Sequence, residues 1–593
     1  MPYVWQPSEA DIRSSNLHAL MQERGLSSYE ELWKWSVSSR KEFWSAMVAR
    51  LDIHFLKKPG KADLRDPEHP VWFPGARLNI VESCFQAPED AMAVRWRAEG
   101  ESPMREMSYR ALSGLTDQVA QGISSAYKPG DALAIVMPLS PESIALYLGI
   151  IKAGCAAVGI ADSFSSKEIA RRVAISGAKA VFTIERYRYG GRELSPYERV
   201  RAAAHGKAVV LGKAQAGDTA WEDFLGPEKP FRAVSRDAED TTTVLFSSGT
   251  TGDPKAIPWT HSTPMKCASD AHLHHDIHPG GRLCWPTSLG WMMGPWLIYA
   301  SLINRASICL YQGSPTSREF CEFVQDANVT MLGVVPTLVK AWRASRAAEG
   351  LDWSSIRAFS STGECSNAED MEWLMQRAGG RPVIEYCGGT ELGGGYVTST
   401  VVQQNYPSQF STPALGLDFA LLDGDREADS GEVFLIPPSV GLSQRLLNKD
   451  HHEVYYAGCP SPDGKVLRRH GDAARRLPNG YYQLLGRIDD TMKLSGIKVS
   501  SADVERACLG AVKECAAVGV PPADGGPERL VLYVVPLRET SPAKLKEALQ
   551  QAIREELSPL FRVGEVRVVD ALPRTASGKV MRRELRQQSS PRR

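Results

Sequence analysis

The chain lacks an excess of charge of either sign. Its 593 residues contain 69 Lys plus Arg and 69 Asp plus Glu, so the formal net charge is zero. Proteins that bind nucleic acid or a membrane surface through bulk electrostatics usually have a strong basic balance. The composition therefore predicts no nucleic-acid partner.

Cysteine is sparse and follows no pattern. Eleven cysteines are scattered along the chain, and none of them has the C-x-x-C spacing. This distribution excludes a disulfide framework and a zinc ribbon of the usual spacing. A reducing compartment is therefore expected.

Long hydrophobic runs are also missing. The most apolar stretch, residues 132–161, is interrupted by Pro138, Pro141, Glu142 and Lys152. The remaining pieces are too short to cross a bilayer, so we expect no stable membrane insertion.

Targeting signals are not recognisable at either end. The first residues, MPYVWQPSEADI, do not combine a basic start with an apolar run, as a secretory signal would. The last residues, Pro591 to Arg593, do not resemble the Ser-Lys-Leu signal of peroxisomal proteins. We therefore expect a cytoplasmic location, with a peroxisomal one as the alternative.

The apolar runs that are present predict an α/β fold. Residues 131–137, 155–160 and 178–184 are typical of short buried strands. Ser140-Pro141 and Ser165-Ser166-Lys167-Glu168 between them are typical helix starts. Strands that alternate with helices favour a doubly wound, largely parallel sheet.

Three segments are expected along the chain. Residues 1–85 form a polar, aromatic-rich cap segment, in which 29–44 is amphipathic at helical spacing. Residues 86–488 form a large domain with doubly wound mixed sheets. Residues 489–593 form a small mobile α/β domain, with strands at 530–535 and 566–569 and a helix at 542–557.

Three predicted strands of the large domain each end in a small polar loop. Residues 241–246 lead into SSGTTGDPK, residues 356–361 into TGE, and residues 382–386 into CGGTE. Ligands of open α/β sheets bind outside the carboxyl ends of the strands. The three loops therefore predict one shared site.

The first of these loops, residues 247–255, has the composition of a phosphate-binding loop. Its glycines allow backbone N–H groups to form an anion nest, its hydroxyls add donors, and Lys255 adds charge. The spacing is not that of a Walker A loop. On composition alone, phosphate binding is favoured over a simple turn.

Six motifs in order resemble those of the adenylate-forming superfamily, which includes acyl-CoA synthetases, firefly luciferase and nonribosomal-peptide adenylation domains. They are FSSGTTGDPK (246–255), GGTE (388–391), HGD (470–472), GRIDD (486–490), KLSGIKVSS (493–501) and LPRTASGK (572–579). The resemblance covers nearly the whole chain and is strongest to acetyl-CoA-synthetase-like enzymes. The run CWPTSLGWMMGPWLIYASL (284–302) resembles the plant acyl-activating enzymes of the peroxisomal type.

The resemblance implies an ATP-dependent carboxylate–CoA ligase. The carboxylate attacks the α-phosphate of ATP, which gives an acyl-adenylate and pyrophosphate, and coenzyme A then displaces AMP. Because the first step brings two anions together, cations and hydrogen-bond donors must be in place beforehand.

The resemblance also assigns nucleotide-binding residues. Glu391 matches the ligand of Mg²⁺, Thr390 the residue that bonds the α-phosphate, and Asp472 the carboxylate that holds the ribose hydroxyls. Arg487 matches an arginine that reaches the ribose or the phosphates. The other expected ATP- or AMP-binding residues are Ser247, Ser248, Gly249, Thr250, Thr251, Gly252, Lys255, Gly363, Glu364, Tyr386, Cys387, Gly388 and Gly389.

Residues of the small domain are expected to act in two poses. Lys579 matches the catalytic lysine that contacts the substrate carboxylate and the α-phosphate. Asp489 matches the hinge about which the domain swings. In the other pose, Gly496 and Lys498 approach the nucleotide and the coenzyme A thiol.

The acyl pocket departs from that of acetyl-CoA synthetases. There, the second tryptophan of a Trp-Trp-x-Thr-Glu motif closes the pocket, whereas this chain has Gly388 at that position. We therefore predict a deeper cavity and an acid larger than acetate. Trp291, Met292, Met293 and Thr362 match other wall positions. Cys387 replaces the usual adenine-stacking aromatic residue, a role for which neighbouring Tyr386 is the candidate substitute.

Several alternatives stay open on the sequence. The acceptor could be a carrier-protein thiol, although no carrier domain is fused to the chain, and a non-catalytic nucleotide-binding paralogue would keep the same motifs. Four histidines within residues 272–278 have the density of a zinc site, but polar histidines near the acyl channel are the preferred interpretation. The motifs specify neither the acid nor the oligomeric state.

Overall fold

The computed structural model describes residues 4–203, 207–247, 253–364, 366–488, 491–494, 497–508, 510–522, 528–538, 540–573, 580 and 582–589. The α-helices among them are α1 (Glu9–Ser14), α2 (Asn16–Arg24), α3 (Tyr29–Ser38), α4 (Arg40–Arg50), α5 (Tyr109–Ala126), α6 (Pro141–Lys152), α7 (Ser166–Ser176), α8 (Pro196–Ala202), α9 (Trp221–Phe224), α10 (Thr263–Leu273), α11 (Met293–Leu302), α12 (Arg318–Asp326), α13 (Pro336–Ser345), α14 (Ala368–Arg377), α15 (His451–Tyr455), α16 (Ser501–Cys508), α17 (Pro542–Glu556) and α18 (Arg582–Ser589).

The strands form two large sheets and several smaller ones. They are β1 (Arg77–Leu78), β2 (Met92–Ala98), β3 (Arg105–Ser108), β4 (Ala132–Val136), β5 (Ala156–Gly159), β6 (Val181–Ile184), β7 (Tyr187–Tyr189), β8 (Arg192–Leu194), β9 (Ala208–Leu211), β10 (Thr219–Ala220), β11 (Arg236–Asp237), β12 (Thr241–Ser247), β13 (Lys255–Thr260), β14 (Arg282–Cys284), β15 (Ser307–Gln312), β16 (Met331–Val334), β17 (Ala358–Ser361), β18 (Val383–Gly389), β19 (Gly394–Thr398), β20 (Thr412–Pro413), β21 (Asp418–Asp423), β22 (Arg426–Glu427), β23 (Ser430–Ile436), β24 (Arg468–Arg476), β25 (Tyr482–Arg487), β26 (Thr491–Leu494), β27 (Ile497–Ser500), β28 (Val512–Val520), β29 (Arg529–Pro536) and β30 (Val563–Val568).

The two large sheets confirm the predicted doubly wound α/β class. The seven-stranded sheet has the order β10-β9-β6-β4-β5-β12-β13, and only its last pair is antiparallel. The nine-stranded sheet has the order β20-β19-β18-β17-β16-β14-β15-β2-β3. It is parallel from β18 to β2 and antiparallel at both edges.

Buried helices cover these sheets. Every residue of α11 is buried, as are ten of the eleven residues of α10. Ser140 caps α6 as the sequence predicts, with its side chain accepting a hydrogen bond from Ser143 N. In the described part of the chain, no helix is both long enough and apolar enough to cross a bilayer.

The C-terminal part is built from smaller units. A five-stranded antiparallel sheet, β22-β21-β23-β24-β25, precedes the hairpin of β26 and β27. The three strands β28, β29 and β30 then form a sheet against which α16 and α17 pack around a core of their own. The predicted helix at 542–557 is α17, and the predicted strand at 530–535 lies within β29.

Candidate active site

Two of the three predicted loops follow neighbouring strands, and β13, the strand after the third loop, contacts them. In β17 and β18, Ser361 is paired with Glu385 in parallel register, so both strands end at the same edge. The other large sheet reaches this edge because Trp259 of β13 donates a hydrogen bond from Nε1 to the carbonyl oxygen of Thr390 at 2.7 Å. The strand ends therefore enclose one region between the two sheets.

A cavity lies at this edge. It brings together five of the residues predicted for the nucleotide or acyl site: Thr362, Gly363, Glu364, Tyr386 and Cys387. It also includes residues that sequence reasoning missed, among them Glu385, Phe410, Gln483 and Lys493.

Glu385 is the most informative of the missed residues. Its side chain is buried, and the hydroxyl group of Ser366 donates to Oε1 at 2.6 Å. Burial raises the pKa of this carboxyl to about 7. An acidic residue within the apolar run Val383–Tyr386 was the signal that could have identified it.

The turn that carries Thr390 and Glu391 is fixed by three elements. Besides the bond from Trp259, the carbonyl oxygen of Glu391 accepts from Ser443 N at 2.8 Å and faces the Arg468 guanidinium at 3.5 Å. Glu391 itself is buried, with 7% of its surface exposed. The backbone of the turn is therefore held by contacts from β13, β24 and the segment that contains Ser443.

Two cations converge on one aromatic ring beside this turn. The Arg468 guanidinium lies 4.3 Å and the Lys255 ammonium 4.9 Å from the centroid of Tyr455. Cation–π contact stabilises positive charge that is partly removed from water. The arrangement therefore concentrates positive charge near Glu391, at a place where anions could bind.

Lys255 is positioned by a backbone clamp. It pairs with Ser247 across β12 and β13. Asn448 donates to the carbonyl oxygen of Pro254 at 2.9 Å and accepts from Ala256 N at 3.0 Å, so both neighbours of Lys255 are held. The predicted loop residues Ser248, Gly249, Thr250, Thr251 and Gly252 lie outside the described residues.

Asp472 joins the third motif to this region. It is 3% exposed, and its Oδ2 lies 3.0 Å from the Tyr396 hydroxyl, 3.1 Å from His470 Nε2 and 3.5 Å from Cys387 Sγ. Asp472 stands opposite Arg487 in the register of β24 and β25. The predicted ribose carboxylate thus lies beside the CGGTE motif.

Other predicted residues fall outside the described side chains. Lys579, Asp489 and Gly496 lie outside the described residues altogether. Arg487 and Lys498 are described only as positions in β25 and β27.

Gly388 does not leave the cavity that the sequence predicts. An ideal Cβ built on Gly388 would lie 1.8 Å from the carbonyl oxygen of Gly394 and 2.8 Å from Cα of Gly395. The space for a side chain is therefore occupied by the backbone of β19. Glycine is needed here for the close approach of two strands, and the expectation of a vacant pocket at this position is corrected.

Three of the other predicted acyl-pocket residues, Trp291, Met292 and Met293, lie at the start of α11. Trp291 packs edge-on against Phe164 with ring centroids 5.5 Å apart. Met292 precedes α11, and Met293 is its first residue and is buried. Of the predicted acyl residues, only Thr362 lines the cavity described above.

Tyr386 is a core residue rather than an open aromatic face. Only 1% of it is exposed, and its ring packs against His275 and Trp296 with centroids 4.9 and 5.8 Å away. Its hydroxyl group donates to Asp270 Oδ2 at 2.6 Å. This placement does not favour the stacking role for which Tyr386 was the candidate.

The histidine cluster does not form a metal site. His272 bonds with Asn304 and Arg50, His274 accepts from Leu415 N, and His275 lies 2.8 Å from the Ser360 hydroxyl. Burial lowers the pKa of His274 to about 3 and that of His275 to about 4. The described residues contain no group of three or more His, Cys, Asp or Glu side chains suited to a metal ion.

The small domain contacts the large one at the start of α7. Ser165 donates from its backbone N to the carbonyl oxygen of Leu557 at 3.2 Å and from Oγ to that of Glu556 at 2.7 Å. Lys167 forms an ion pair with the Glu556 side chain. The C-terminal end of α17 therefore docks on the N-terminal end of α7.

Arg171 connects this contact to the phosphate loop. Its Nε donates to Asp253 Oδ1 at 2.6 Å, and its NH1 lies 3.5 Å from the carboxylate of Asp503 in α16. The Arg171 side chain therefore faces both Asp253 of the predicted phosphate loop and Asp503 of the small domain.

Comparisons with known proteins identify the family of the chain. Residues 81–441 match the family model of the AMP-binding enzyme, residues 507–579 its C-terminal domain, and residues 29–84 the acetyl-coenzyme A synthetase N-terminus. A probable peroxisomal acyl-activating enzyme 18 of Arabidopsis thaliana is 41% identical, with 99% of this chain and 87% of that protein covered. A hexanoyl-CoA synthase of Cannabis sativa is 40% identical over 99% of this chain and 89% of its own length.

A solved structure shares the fold over the full length. The acetoacetyl-CoA synthetase from Streptomyces lividans superimposes with a TM-score of 0.78 at 25% sequence identity. The match covers 100% of this chain and 96% of that one. The arrangement of sheets described above is therefore that of an acyl-CoA synthetase.

Proposed function

This chain belongs to the AMP-binding enzyme family and is an AMP-forming acid–thiol ligase, and we propose that its substrate is a carboxylic acid larger than acetate and its acceptor free coenzyme A. ATP and the acid give an acyl-adenylate and pyrophosphate, and coenzyme A then gives the acyl-CoA and AMP. The names of the hexanoyl- and acetoacetyl-CoA relatives support the larger acid.

The observation that carries the residue assignment is the buried turn of Thr390 and Glu391. Its backbone is anchored by Trp259, Ser443 and Arg468, so its side chains are held in place before the nucleotide binds. A preorganised site stabilises developing charge without reorganising during the reaction. In this proposal, Thr390 bonds the α-phosphate, and Lys255 acts on the phosphates from the neighbouring strand.

Glu391 fits the role of a Mg²⁺ ligand. Magnesium typically binds through one or two carboxylates and completes its shell with phosphate oxygens and water. Glu391 is buried and its carbonyl oxygen faces Arg468, which shares the Tyr455 ring with Lys255. One buried glutamate suits such a shared shell better than an all-protein cage. When bound, the ion would neutralise charge on the phosphate oxygens.

The remaining nucleotide contacts follow from the cavity. We assign the adenine to the cavity that Gly363, Glu364 and Cys387 line, and the ribose hydroxyls to Asp472 with Arg487 opposite it. An aspartate that accepts hydrogen bonds from two hydroxyl groups is suited to a ribose.

The small domain completes the reaction in this proposal. Its hinge is at Asp489, the boundary between a large domain of 86–488 and a small one of 489–593. Lys493 of β26 lines the nucleotide cavity, which supports the pose in which Gly496 and Lys498 face the coenzyme. The other pose brings Lys579 to the acid and the α-phosphate, where an ammonium group neutralises the charge of the two reacting anions.

A panel of carboxylic acids from two carbons upward tests the proposal. We expect acid-dependent pyrophosphate release and acyl-CoA formation with acids larger than acetate, measured by coupled pyrophosphate detection and mass spectrometry. Lys579→Ala should abolish most of the pyrophosphate release, while Lys513→Ala, an exposed lysine of the same domain, should not. Activity confined to acetate would refute the larger substrate.

The acceptor is tested in the same assay. Free coenzyme A is compared with a carrier protein that bears a phosphopantetheine thiol. Thioester formation on the carrier protein alone would replace our choice of acceptor. The cytoplasmic location is also a proposal, and the Arabidopsis relatives with peroxisomal names favour the alternative, which imaging of a fluorescent fusion would decide.

A further inference from the structure

A buried ion pair lies beneath the CGGTE motif. Lys266 and Asp270 are one turn apart on α10, with Nζ and Oδ1 at 2.6 Å and only 1% and 2% of their side chains exposed. Removing two charges from water costs free energy that their attraction often does not recover, so apolar residues of similar volume would frequently be as stable. Stability alone therefore does not account for this pair.

The second oxygen of Asp270 joins two strands of the site. Oδ2 accepts from the Tyr386 hydroxyl at 2.6 Å and from Gly395 N at 2.9 Å. Tyr386 lies in β18 and Gly395 in β19, and the turn between these strands contains Thr390 and Glu391. One carboxylate therefore clamps both strands of the hairpin at its base.

The fit around the clamp is too close for side chains. A Cβ on Gly394 would lie 2.5 Å from Asp270 Oδ2, and one on Gly395 would lie 2.5 Å from the Tyr386 ring. The backbone of β19 therefore rests directly on the carboxylate and the tyrosine. No side chain of β19 separates its backbone from the Asp270 carboxylate. A displacement of that carboxylate would therefore move the hairpin.

The protonation states suit this arrangement. Burial and the nearby Asp270 carboxylate raise the pKa of Tyr386, so the hydroxyl keeps its proton and donates it. Trp296 Nε1 donates to the same hydroxyl oxygen at 3.2 Å. His274, 3.9 Å from Asp270, is neutral because burial lowers its pKa to about 3, and Lys266 supplies the positive charge.

We propose that Asp270, balanced by Lys266, is a positioning residue that acts through Tyr386 and Gly395 to hold Thr390 and Glu391 in the geometry needed for adenylation. Asp270 does not touch the substrates in this role. The inference rests on the proposed function of the turn. It predicts that loosening the clamp slows the adenylation half-reaction more than it affects binding of coenzyme A.

The first test variant is Tyr386→Phe, which removes one hydroxyl group and keeps the ring. We expect single-turnover adenylation, read as pyrophosphate release without coenzyme A, to slow by about tenfold, as the loss of a hydrogen bond to a charged group predicts. The KM for coenzyme A should change by less than about twofold on the same reasoning.

The matched control is Tyr299→Phe. Tyr299 is equally buried, in α11, and its hydroxyl group is bonded to that of Tyr147 rather than to Asp270. The control should lose a similar amount of stability and keep its adenylation rate. An equal loss of rate in both variants, or a wild-type rate in folded Tyr386→Phe, would overturn the proposal.

A second variant removes the ion pair as a whole. Lys266→Met combined with Asp270→Leu replaces two charges by apolar groups of similar size, a change that proteins often tolerate in stability. We expect it to unfold cooperatively but to adenylate at least about tenfold more slowly, because both strands lose their acceptor. A folded double variant with the wild-type rate would also overturn the proposal.

Failure of the proposed function would be visible separately. In that case the wild type would release no pyrophosphate with any acid of the panel. The clamp would then be tested by calorimetric titration with ATP. We expect Tyr386→Phe to bind ATP several-fold more weakly than wild type and Tyr299→Phe do. Equal ATP affinity in the three proteins would overturn the clamp.

Discussion

The hairpin of β18 and β19 and the first turn of α7 are held by opposite kinds of charged contact. Beneath the hairpin, Asp270 and Lys266 are almost fully removed from water. At α7, the Lys167 side chain that pairs with Glu556 is 70% exposed. A desolvated charge fixes one geometry, whereas an exposed pair can be exchanged for water at little cost. The difference is the one expected if the turn of Thr390 and Glu391 is the proposed phosphate site and the small domain moves as proposed.

The strongest test of this comparison breaks the buried pair on one side only. Lys266→Met leaves the Asp270 carboxylate buried without its cation, and we expect a loss of about 3–5 kcal/mol in the free energy of unfolding. Urea denaturation measures the change. The double variant with Asp270→Leu should recover part of that loss but not all of it, because the Tyr386 hydroxyl and Gly395 N–H lose their acceptor. A single variant at least as stable as the double one would show that the lone Asp270 charge is not confined.

A second buried carboxylate sharpens the comparison through pH. Glu385 is bonded to hydroxyl groups, and burial raises its pKa from 4.5 to about 7 in the folded protein. The folded state thus holds this proton more tightly than the unfolded state, and the contribution is fully present below about pH 4.5 and lost as the pH rises through 7. The expected loss is about 3 kcal/mol.

Glu385→Gln is the matched control for this pH effect. The amide keeps the shape and an acceptor oxygen but does not ionise, so the variant should lose less stability than wild type between pH 5 and pH 8. Chemical denaturation at several pH values provides the measurement. Parallel curves for the two proteins would show that Glu385 does not titrate in this range.

The smallest effect is expected at the domain contact. Lys167→Ala removes an exposed pair and should change the free energy of unfolding by less than about 1 kcal/mol, with the change reduced by added salt. Lys179→Ala, which removes an exposed lysine paired with Asp131 inside the large domain, is the control. A loss of several kcal/mol in Lys167→Ala alone would show that the pair of Lys167 and Glu556 is a strong contact between the two domains, contrary to this expectation.

Local patterns predicted the elements well because their causes are local. Ser140 before Pro141 predicted the start of α6, and the apolar run at 131–137 predicted the strand that the structure has as β4, one residue shorter at each end. Ser165 also caps α7 by accepting from Glu168 N, as predicted. Its own N–H, however, donates to Leu557, 392 positions later, a partner that no local pattern contains.

The site was predicted less completely because burial and neighbours decide its chemistry. The spacing of Lys266 and Asp270 is that of an ordinary surface pair on a helix, and only the fold shows that it is buried. The sequence shows that position 388 has no side chain. It does not show that the backbone of β19, which follows the next turn, occupies the space that a side chain would need. The nearness of Tyr386 to Asp270 likewise depends on how α10 packs under the sheet.

The close packing of Gly388 against Gly394 restricts how this enzyme could change its preference for acids. A bulky residue at position 388 would have to displace a whole strand together with the turn that carries Glu391. Met292, a predicted acyl-pocket residue, lies before α11 and outside that hairpin. Laboratory evolution toward shorter or longer acids should therefore accumulate its first mutations at the start of α11 and leave the glycines untouched.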